Sequence, residues 1–313
     1  MVTAAPQRDA RIPAAARGHR HLAPVSELSW WPAPAKLNLF LHVTGRRPDG
    51  YHDLQTLFQL IDRCDQIGLA VREDGRILRR AGLPEVAPEQ DLAVRAANAL
   101  QRHTGVSLGA DIQVIKHIPA GGGLGGGSSD AASVLLALNA LWRCNLSLDE
   151  LAQLGLGLGA DVPVFVSGSS AWGEGRGERL NAIELPPRWY LVIHPGVSVS
   201  TAEIFQAPEL TRNSSLITIR AFSESRAVNV FEPVVCARRP EVAEALDWLR
   251  AQFDLHGMAI AARMTGTGAC IFAGFERAQE AERIAARVPD RWGSFVARGL
   301  NRSPLHAMLR MHG

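Results

Sequence analysis

The chain has 313 residues, 47% of them hydrophobic and 20% charged, with a formal net charge of +2, the composition of an ordinary globular protein long enough for two cores. So small a net charge excludes a strong polyanion-binding field, and no basic patch with interleaved aromatics marks a nucleic-acid surface. No apolar run approaches the roughly 20 residues of a membrane span, and Cys64, Cys144, Cys236 and Cys270 form no Cys-x-x-Cys pair that would suggest zinc or a disulfide framework, so a soluble protein of the cytoplasm is expected.

Residues 1–28 are rich in Ala, Pro and Arg and lack the apolar core of a secretory signal. A disordered extension, a transit peptide or a start assigned too early all fit, and no catalytic role is expected of them. From Lys36 to Val43 the residues alternate as in a strand, with Lys36, Asn38, Phe40 and His42 on one face and Leu37, Leu39, Leu41 and Val43 on the other. A polar face beside a buried one suits a strand lining a site. Thr44 to Asp53 reads as a loop around a Pro48-Asp49-Gly50 turn. Strands are expected at Leu57 to Ile61, Gln66 to Arg72 and Ala110 to Ile118, with a helix from Asp91 to His103 between the last two.

Next come Pro119 to Ala132, with six glycines in the seven positions from Gly121 to Gly127. Without Cβ atoms such a loop can take positive φ and lie against a polyanion with its N–H groups turned inward. A helix from Ser128 to Leu141 is expected to follow, with Ser128 or Ser129 as N-cap, so that the loop ends on unpartnered N–H groups and the positive end of a helix dipole. A flexible linker would not be bounded so closely by a strand and a helix. A dinucleotide-binding Gly-x-Gly-x-x-Gly can be drawn through the run, but so many glycines fit many templates, and the strand that would feed a spaced acidic residue is missing. A Walker loop is excluded, since no Lys follows the glycines.

A short helix is expected from Leu148 to Leu158, and then Asp161 ahead of a buried strand, Val162 to Val166. Gly173 to Gly177 and Pro186-Pro187 punctuate a domain boundary. Beyond it the chain reads as an α+β unit with an antiparallel sheet: strand Trp189 to His194, helix Glu241 to Phe253, Ala259 to Met264 leading into Thr265-Gly-Thr-Gly-Ala269, helix Glu276 to Arg287 and strand Trp292 to Arg298. Of the 33 basic residues only Lys36 and Lys116 are lysines, and each precedes a motif. Lysine, a compact point charge on a flexible stem, is not interchangeable with arginine, although two surviving surface lysines would also fit.

Three of these segments, Pro34-Ala-Lys-Leu-Asn38, Pro119 to Ala132 and Thr265 to Ala269, together resemble the GHMP kinases. Arg47 to His52, Leu54-Gln-Thr-Leu-Phe58 and Gly159 to Phe165 resemble one branch of that superfamily, whose acceptor is a cytidine-diphosphate-tagged polyol; the likeness runs from about Trp31 to Leu309. It implies an α+β, two-domain GHMP kinase fold with a ribosomal-protein-like N-terminal domain at 29–178 and a ferredoxin-like C-terminal domain at 179–313. It also implies ATP-dependent phosphorylation of the polyol's 2-hydroxyl, with Mg2+, in the non-mevalonate route to isoprenoid precursors.

By the same resemblance Asp161 is the general base and Lys36 contacts it. Lys116, Pro119, Ala120, Gly121, Gly122, Gly123, Leu124, Gly125, Gly126, Gly127, Ser128 and Ser129 would bind ATP. Asn38 and Thr201 would hold the polyol and diphosphate, Tyr51 and Phe205 would sandwich the base, His52 would hydrogen-bond it, and Phe58 would pack nearby. Asp161 could instead be a turn carboxylate capping local N–H groups, and Phe58 a plain core residue. Asp91 stands where asparagine is familiar, and a carboxylate cannot donate to adenine as an amide does. No carboxylate cluster offers itself to the metal, which phosphates, water and Ser128 or Ser129 would hold. A small-molecule partner is expected, with no nucleic acid and no membrane, on a monomer or weak homodimer. A GHMP kinase of the mevalonate or homoserine type is the alternative, disfavoured because acyclic acids need basic contacts and not an aromatic clamp.

Overall fold

The computed structural model describes residues 27–82, 84–222, 227–252 and 259–312. Most of the expected N-terminal extension, and Phe253 at the end of one expected helix, lie outside them. Two long antiparallel strands frame the first lobe, β1 (Ser29–Arg46) and β2 (His52–Arg72), in a register that sets Lys36 opposite Leu60, Asn38 opposite Phe58 and Arg46 opposite His52. Their turn is the expected one: Gly50 takes φ 87° and donates to the Arg47 carbonyl at 3.1 Å, while the Asp49 carboxylate accepts from the Tyr51 N–H at 3.1 Å. Asp62, Arg63 and Cys64 made β2 read as two strands, yet the backbone runs through them: Asp62 and Arg63 bulge out of β2 opposite the Pro34–Ala35 step of β1, and pairing resumes on either side.

A second bulge, between Asn38 and Leu41, alters the expected face alternation. Here β1 is buried on both sides, so Lys36 and Asn38, each 2% exposed, are as enclosed as Leu37 and Leu39. β2 also pairs with β4 (Gly109–Ile115), β5 (Ala171–Gly175) and the end of β10 (Gly293–Leu300); β3 (Ile77–Ala81) lies parallel to β4, and β6 (Arg179–Ala182) pairs with β5.

Helices pack over this sheet. α1 (Leu92–Thr104) starts on the Asp91 carboxylate, which accepts from the Ala93 N–H, and stops at Gly105 in the left-handed region. α2 (Gly126–Leu141) is buried all round from Ser129 to Leu138, the pattern of a helix enclosed by neighbours and not of one with a solvent face. It begins two residues earlier than its sequence suggests, and its N-cap is Gly125 at φ 73°, with no side-chain cap bond. α3 (Leu148–Leu156) has a Ser147/Glu150 capping box.

Val162–Ser167 is a helix, α4, and not the strand that its β-branched run suggests. Pro163 sits in its first turn, where a missing N–H costs nothing, and Gly168 ends it at φ 65°. The change matters because it places Asp161 at a helix start.

The second lobe is an antiparallel sheet, β10–β7–β9–β8, made with β7 (Trp189–His194), β8 (Ile260–Met264) and β9 (Ile271–Phe275). Its helices are α5 (Thr201–Gln206), α6 (Glu232–Arg238), α7 (Pro240–Ala251) and α8 (Ala278–Ala285). Phe231, Leu246, Phe275 and Ile284 are among its core residues, whereas Trp31, Leu100, Leu135 and Phe165 belong to the core of the first lobe. A third cluster, around Phe40, Trp172, Tyr190 and Phe272, joins the two. β10 runs from β7 across to β2, and α9 (Pro304–His312) returns to bury Leu305 in the first core.

Candidate active site

Where the lobes meet lies a cavity of about 1030 Å³, at the upper end of the size of single-ligand pockets. Of the residues singled out from sequence, all line it except Ser129. Ser129 is fully buried and donates its hydroxyl proton to the Pro34 carbonyl at 2.7 Å, holding α2 against β1.

At the centre is Lys36. Its three ammonium protons face three acceptors: Asn38 Oδ1 at 2.5 Å, the Gly123 carbonyl at 3.0 Å and Asp161 Oδ2 at 3.3 Å. Asn38 in turn donates through Nδ2 to Thr56 Oγ1 at 2.9 Å, and Thr56 donates to the Phe40 carbonyl at 2.5 Å. The Asn38 N–H donates to Thr265 Oγ1 at 2.9 Å, which reaches across from the second lobe. Asp161 makes no side-chain cap bond to α4, so the turn-carboxylate reading fails; its side chain is 35% exposed and turned to Lys36. Phe58 is both a wall and a core residue: it is 2% exposed, with the Lys36 ammonium 5.7 Å from its ring centroid.

The glycine loop is held by its carbonyls. Gly121 accepts from the Ala269 N–H at 3.3 Å, Gly122 from Cys270 at 3.0 Å, Gly123 from Lys36 Nζ and Leu124 from the Lys36 N–H at 3.0 Å. Gly126, Gly127 and Ser128, in the first turn of α2, precede its first ladder bond, from the Ser129 N–H to the Gly125 carbonyl at 2.9 Å. Those N–H groups are helix-start donors of the kind that bind anions. The Thr265–Ala269 turn closes on the loop backbone to backbone: a Cβ on Gly123 would lie 2.3 Å from the Thr265 carbonyl oxygen, and one on Gly266 2.8 Å from that of Gly123.

One end of the cavity holds Asp91, Leu92, Lys116 and Asp130. Lys116 is paired with both Asp130, at 2.7 Å, and Asp65, which is fully buried and also accepts from the N–H groups of His117 and Ile118. Asp91 is fully used, capping α1 and binding Arg79 at 2.9 Å. At the other end Arg176 lies over the Tyr51 ring at 3.9 Å, and His52 stacks on Phe205 with centroids 5.1 Å apart and planes tilted by 30°. Arg212 donates to His52 Nε2 at 3.2 Å, and Thr201 shares a hydrogen bond with Thr267 at 2.9 Å.

Residues 91–169 match the model of the GHMP kinases N terminal domain, and residues 208–294 that of the GHMP kinases C terminal domain. The 4-diphosphocytidyl-2-C-methyl-D-erythritol kinase of Halorhodospira halophila is 57% identical over 288 residues, covering 91% of this chain and 98% of its own. The chain belongs to the 4-diphosphocytidyl-2-C-methyl-D-erythritol kinase family of the GHMP kinases. A solved structure, a 4-(cytidine 5'-diphospho)-2C-methyl-D-erythritol kinase, is 35% identical with a TM-score of 0.71, covering 87% of this chain and all of that one. The homoserine kinase from Cytophaga hutchinsonii superposes with a TM-score of 0.62 over 89% of this chain and 96% of its own, at 16% identity, which shows a shared fold alone.

For a GHMP kinase of this family, an ATP-dependent phosphotransferase, the arrangement has three chemical parts in one cavity: anion donors, a lysine–carboxylate pair and an aromatic pocket. Asp65, Arg176 and Arg212 were not legible as site residues, and Thr56, Asp130 and Thr265, though inside quoted motifs, were given no role there. The arginines were hidden by number, in a chain that uses Arg for nearly all its positive charge. Asp130 sat inside an apolar helix pattern without a periodic signal.

Asp130 leads to a stability prediction. Burial pushes its carboxyl up to about 7, against the opposing pull of Lys116, and one of its oxygens, Oδ1, is buried without a hydrogen-bond partner. The folded kinase therefore keeps this proton to higher pH than the unfolded chain, where aspartate titrates near ~4. That stabilisation is complete below the unfolded value and is lost as pH rises through the folded one. Asp130→Asn keeps the shape without the titration. Its melting temperature should gain on the parent by a few degrees between pH 5 and 8, at about 2–4 °C per kcal/mol for a protein of this size. A constant difference in thermal melts across that range would contradict the assignment.

Proposed function

We propose that this kinase transfers the γ-phosphoryl of ATP to the 2-hydroxyl of 4-diphosphocytidyl-2-C-methyl-D-erythritol, in the cytoplasm and in the non-mevalonate route to isoprenoid precursors. The observation that carries the reading is the position of the Lys36–Asp161 pair, at 3.3 Å, in the one cavity that also holds the glycine loop and the His52–Phe205 stack. Phosphoryl transfer needs a cradle for the polyphosphate, charge opposite the γ-phosphoryl and an acceptor that orients the hydroxyl.

The loop from Pro119 to Ser128 cradles the phosphates with its N–H groups. Lys116 meets the nucleoside end, since its charge is already matched by Asp65, with Asp130 as a second hydrogen-bond partner. Asp161 accepts the proton of the 2-hydroxyl through a carboxylate oxygen. Lys36 aims that carboxylate, with its own direction fixed by Asn38 and the Gly123 carbonyl. An ammonium so placed also neutralises charge on the transferred group.

Mg2+, carried with ATP, would supply charge neutralisation at the phosphates. Among the described residues no group of three His, Cys, Asp or Glu is arranged to hold a metal; the Ser128 hydroxyl would hold it together with phosphates and water, since Ser129 is committed to Pro34. The cytosine lies between Tyr51, whose other face is covered by Arg176, and Phe205, with His52 on its edge. Thr201 serves the diphosphate and Asn38 the polyol. The kinase works on this small molecule as a monomer or weak homodimer and binds neither nucleic acid nor membrane.

Product inhibition tests the pocket assignment. Cytidine diphosphate should compete with the polyol substrate and not with ATP, with little dependence on salt. Competition with ATP alone, or none at millimolar ligand, would remove cytidine from the aromatic pocket.

A further inference from the structure

Arg212 stands between the lobes with each of its guanidinium nitrogens engaged. Nε donates to His52 Nε2 at 3.2 Å, Nη1 to the Leu210 carbonyl at 3.1 Å, and Nη2 to the carbonyls of Phe205 at 2.9 Å and Ala207 at 2.7 Å. Three of these acceptors lie at or just beyond the end of α5, which carries Phe205; the fourth is the imidazole at the start of β2. One rigid fork thus holds both members of the His52–Phe205 stack.

The bond to His52 carries chemical information. A guanidinium has only donors, so Nε2 of His52 must be the acceptor, and the ring proton is left on Nδ1. A neutral imidazole in this state offers a ligand one donor and no acceptor. Cytosine presents an acceptor at ring nitrogen N3, where uracil carries a hydrogen. A donor set against a donor leaves both unpaired, and sites built on a hydrogen bond discriminate strongly for that reason.

We propose that Arg212 is the positioning residue for base recognition: it fixes His52 as the Nδ1–H tautomer and ties it to Phe205, so that the pocket takes cytosine over uracil. The inference rests on the cytidine pocket of the preceding reading. The charged groups around His52 agree with it. Burial, then Arg212, then Arg46 opposite it in the β1–β2 register hold the imidazole below its ordinary value, while the nearby Asp53 is engaged by Arg47 at 3.4 Å. His52 is thereby kept neutral at working pH.

The test compares the full-length kinase with Arg212→Gln and Arg212→Lys on the cytidine and uridine forms of the diphosphate polyol, from pH 5.5 to 8.5. For Arg212→Gln the KM of the cytidine substrate should rise about tenfold or more, with kcat and the KM for ATP within about threefold. Its preference for cytidine over uridine should fall by about tenfold, and a new dependence on a group titrating near ~6.5, the ordinary imidazole value, should appear in KM. Arg212→Lys keeps a charge and a donor and should restore a pH-independent KM with part of the affinity. A preserved base preference with an unaltered pH profile in Arg212→Gln overturns the inference. So does an imidazole 15N spectrum of the parent enzyme, assigned by its loss in His52→Gln, that places the His52 proton on Nε2; this readout is independent of whether the variants fold. Failure of the parent to use the cytidine substrate at all would instead defeat the reading of the pocket on which the inference rests.

Discussion

Asp161→Asn is expected to fold, to bind ATP with nearly unchanged affinity and to turn over about 10²–10⁴-fold more slowly, the usual contribution of a positioned base. The structure separates the two effects. Asp161 begins α4 without bonding its N–H groups, and its side chain is partly exposed, so little stability depends on the carboxylate. What the amide removes is an acceptor for the hydroxyl proton and the charge opposite Lys36 Nζ at 3.3 Å. Lys36 would keep Asn38 and Gly123 as partners, so the glycine loop should hold its place. Calorimetric ATP titration beside kcat from ADP release checks both halves. A kcat within about threefold of the parent would take the base role away from Asp161.

Gly123→Ala is expected to lower kcat/KM for ATP about 10²-fold or more and to lower the melting temperature. Gly123 has φ 76°, a conformation that costs an L-residue roughly 1–2 kcal/mol. The larger cost is contact: the new methyl carbon would meet the Thr265 carbonyl oxygen at 2.3 Å and that of Gly268 at 3.1 Å. Both are backbone atoms, so relief requires the two turns to part, and the loop would lose the carbonyl anchorage that aims its N–H groups. Gly127→Ala makes the comparison. It has no positive φ, and its nearest new contact is the Leu92 Cδ1 methyl at 3.4 Å, so its melting temperature should stay near that of the parent. Equal melting temperatures and equal ATP affinities for the parent and Gly123→Ala would show that the turn contact is not structural.

Much of the site was legible because its chemistry needs unusual residues at fixed spacing. Six glycines before a helix have few other uses, a lysine in an arginine-rich chain stands out, and a carboxylate after Gly159-Ala160 is visible in the sequence. The structure brings Lys36 and Asp161 together from positions 125 residues apart, and no local pattern foretells that. The errors have local causes. Val162 to Val166 has strand-like residues, but the first-turn proline and the terminal Gly168 decided for a helix. The bulge after Asn38 upset a clean alternation, and Ser129 looked like a loop ligand because nothing in the chain announces that Pro34 lies beside it. Arg212 escaped notice for the opposite reason: its role consists of partners at positions 52, 205, 207 and 210, which only the packed lobes assemble.

Steady-state ADP release by the full-length protein, with 4-diphosphocytidyl-2-C-methyl-D-erythritol beside mevalonate and homoserine as acceptors, tests the central claim most directly. The account predicts saturable, ATP-dependent turnover with the cytidine compound, a product bearing its new phosphate on the 2-hydroxyl by phosphorus NMR, and kcat/KM for the other two acceptors lower by at least about 10³-fold, as expected where a site's hydrogen-bonding groups are left unpaired. Comparable or better turnover of mevalonate or homoserine, or phosphate on another oxygen, would contradict it.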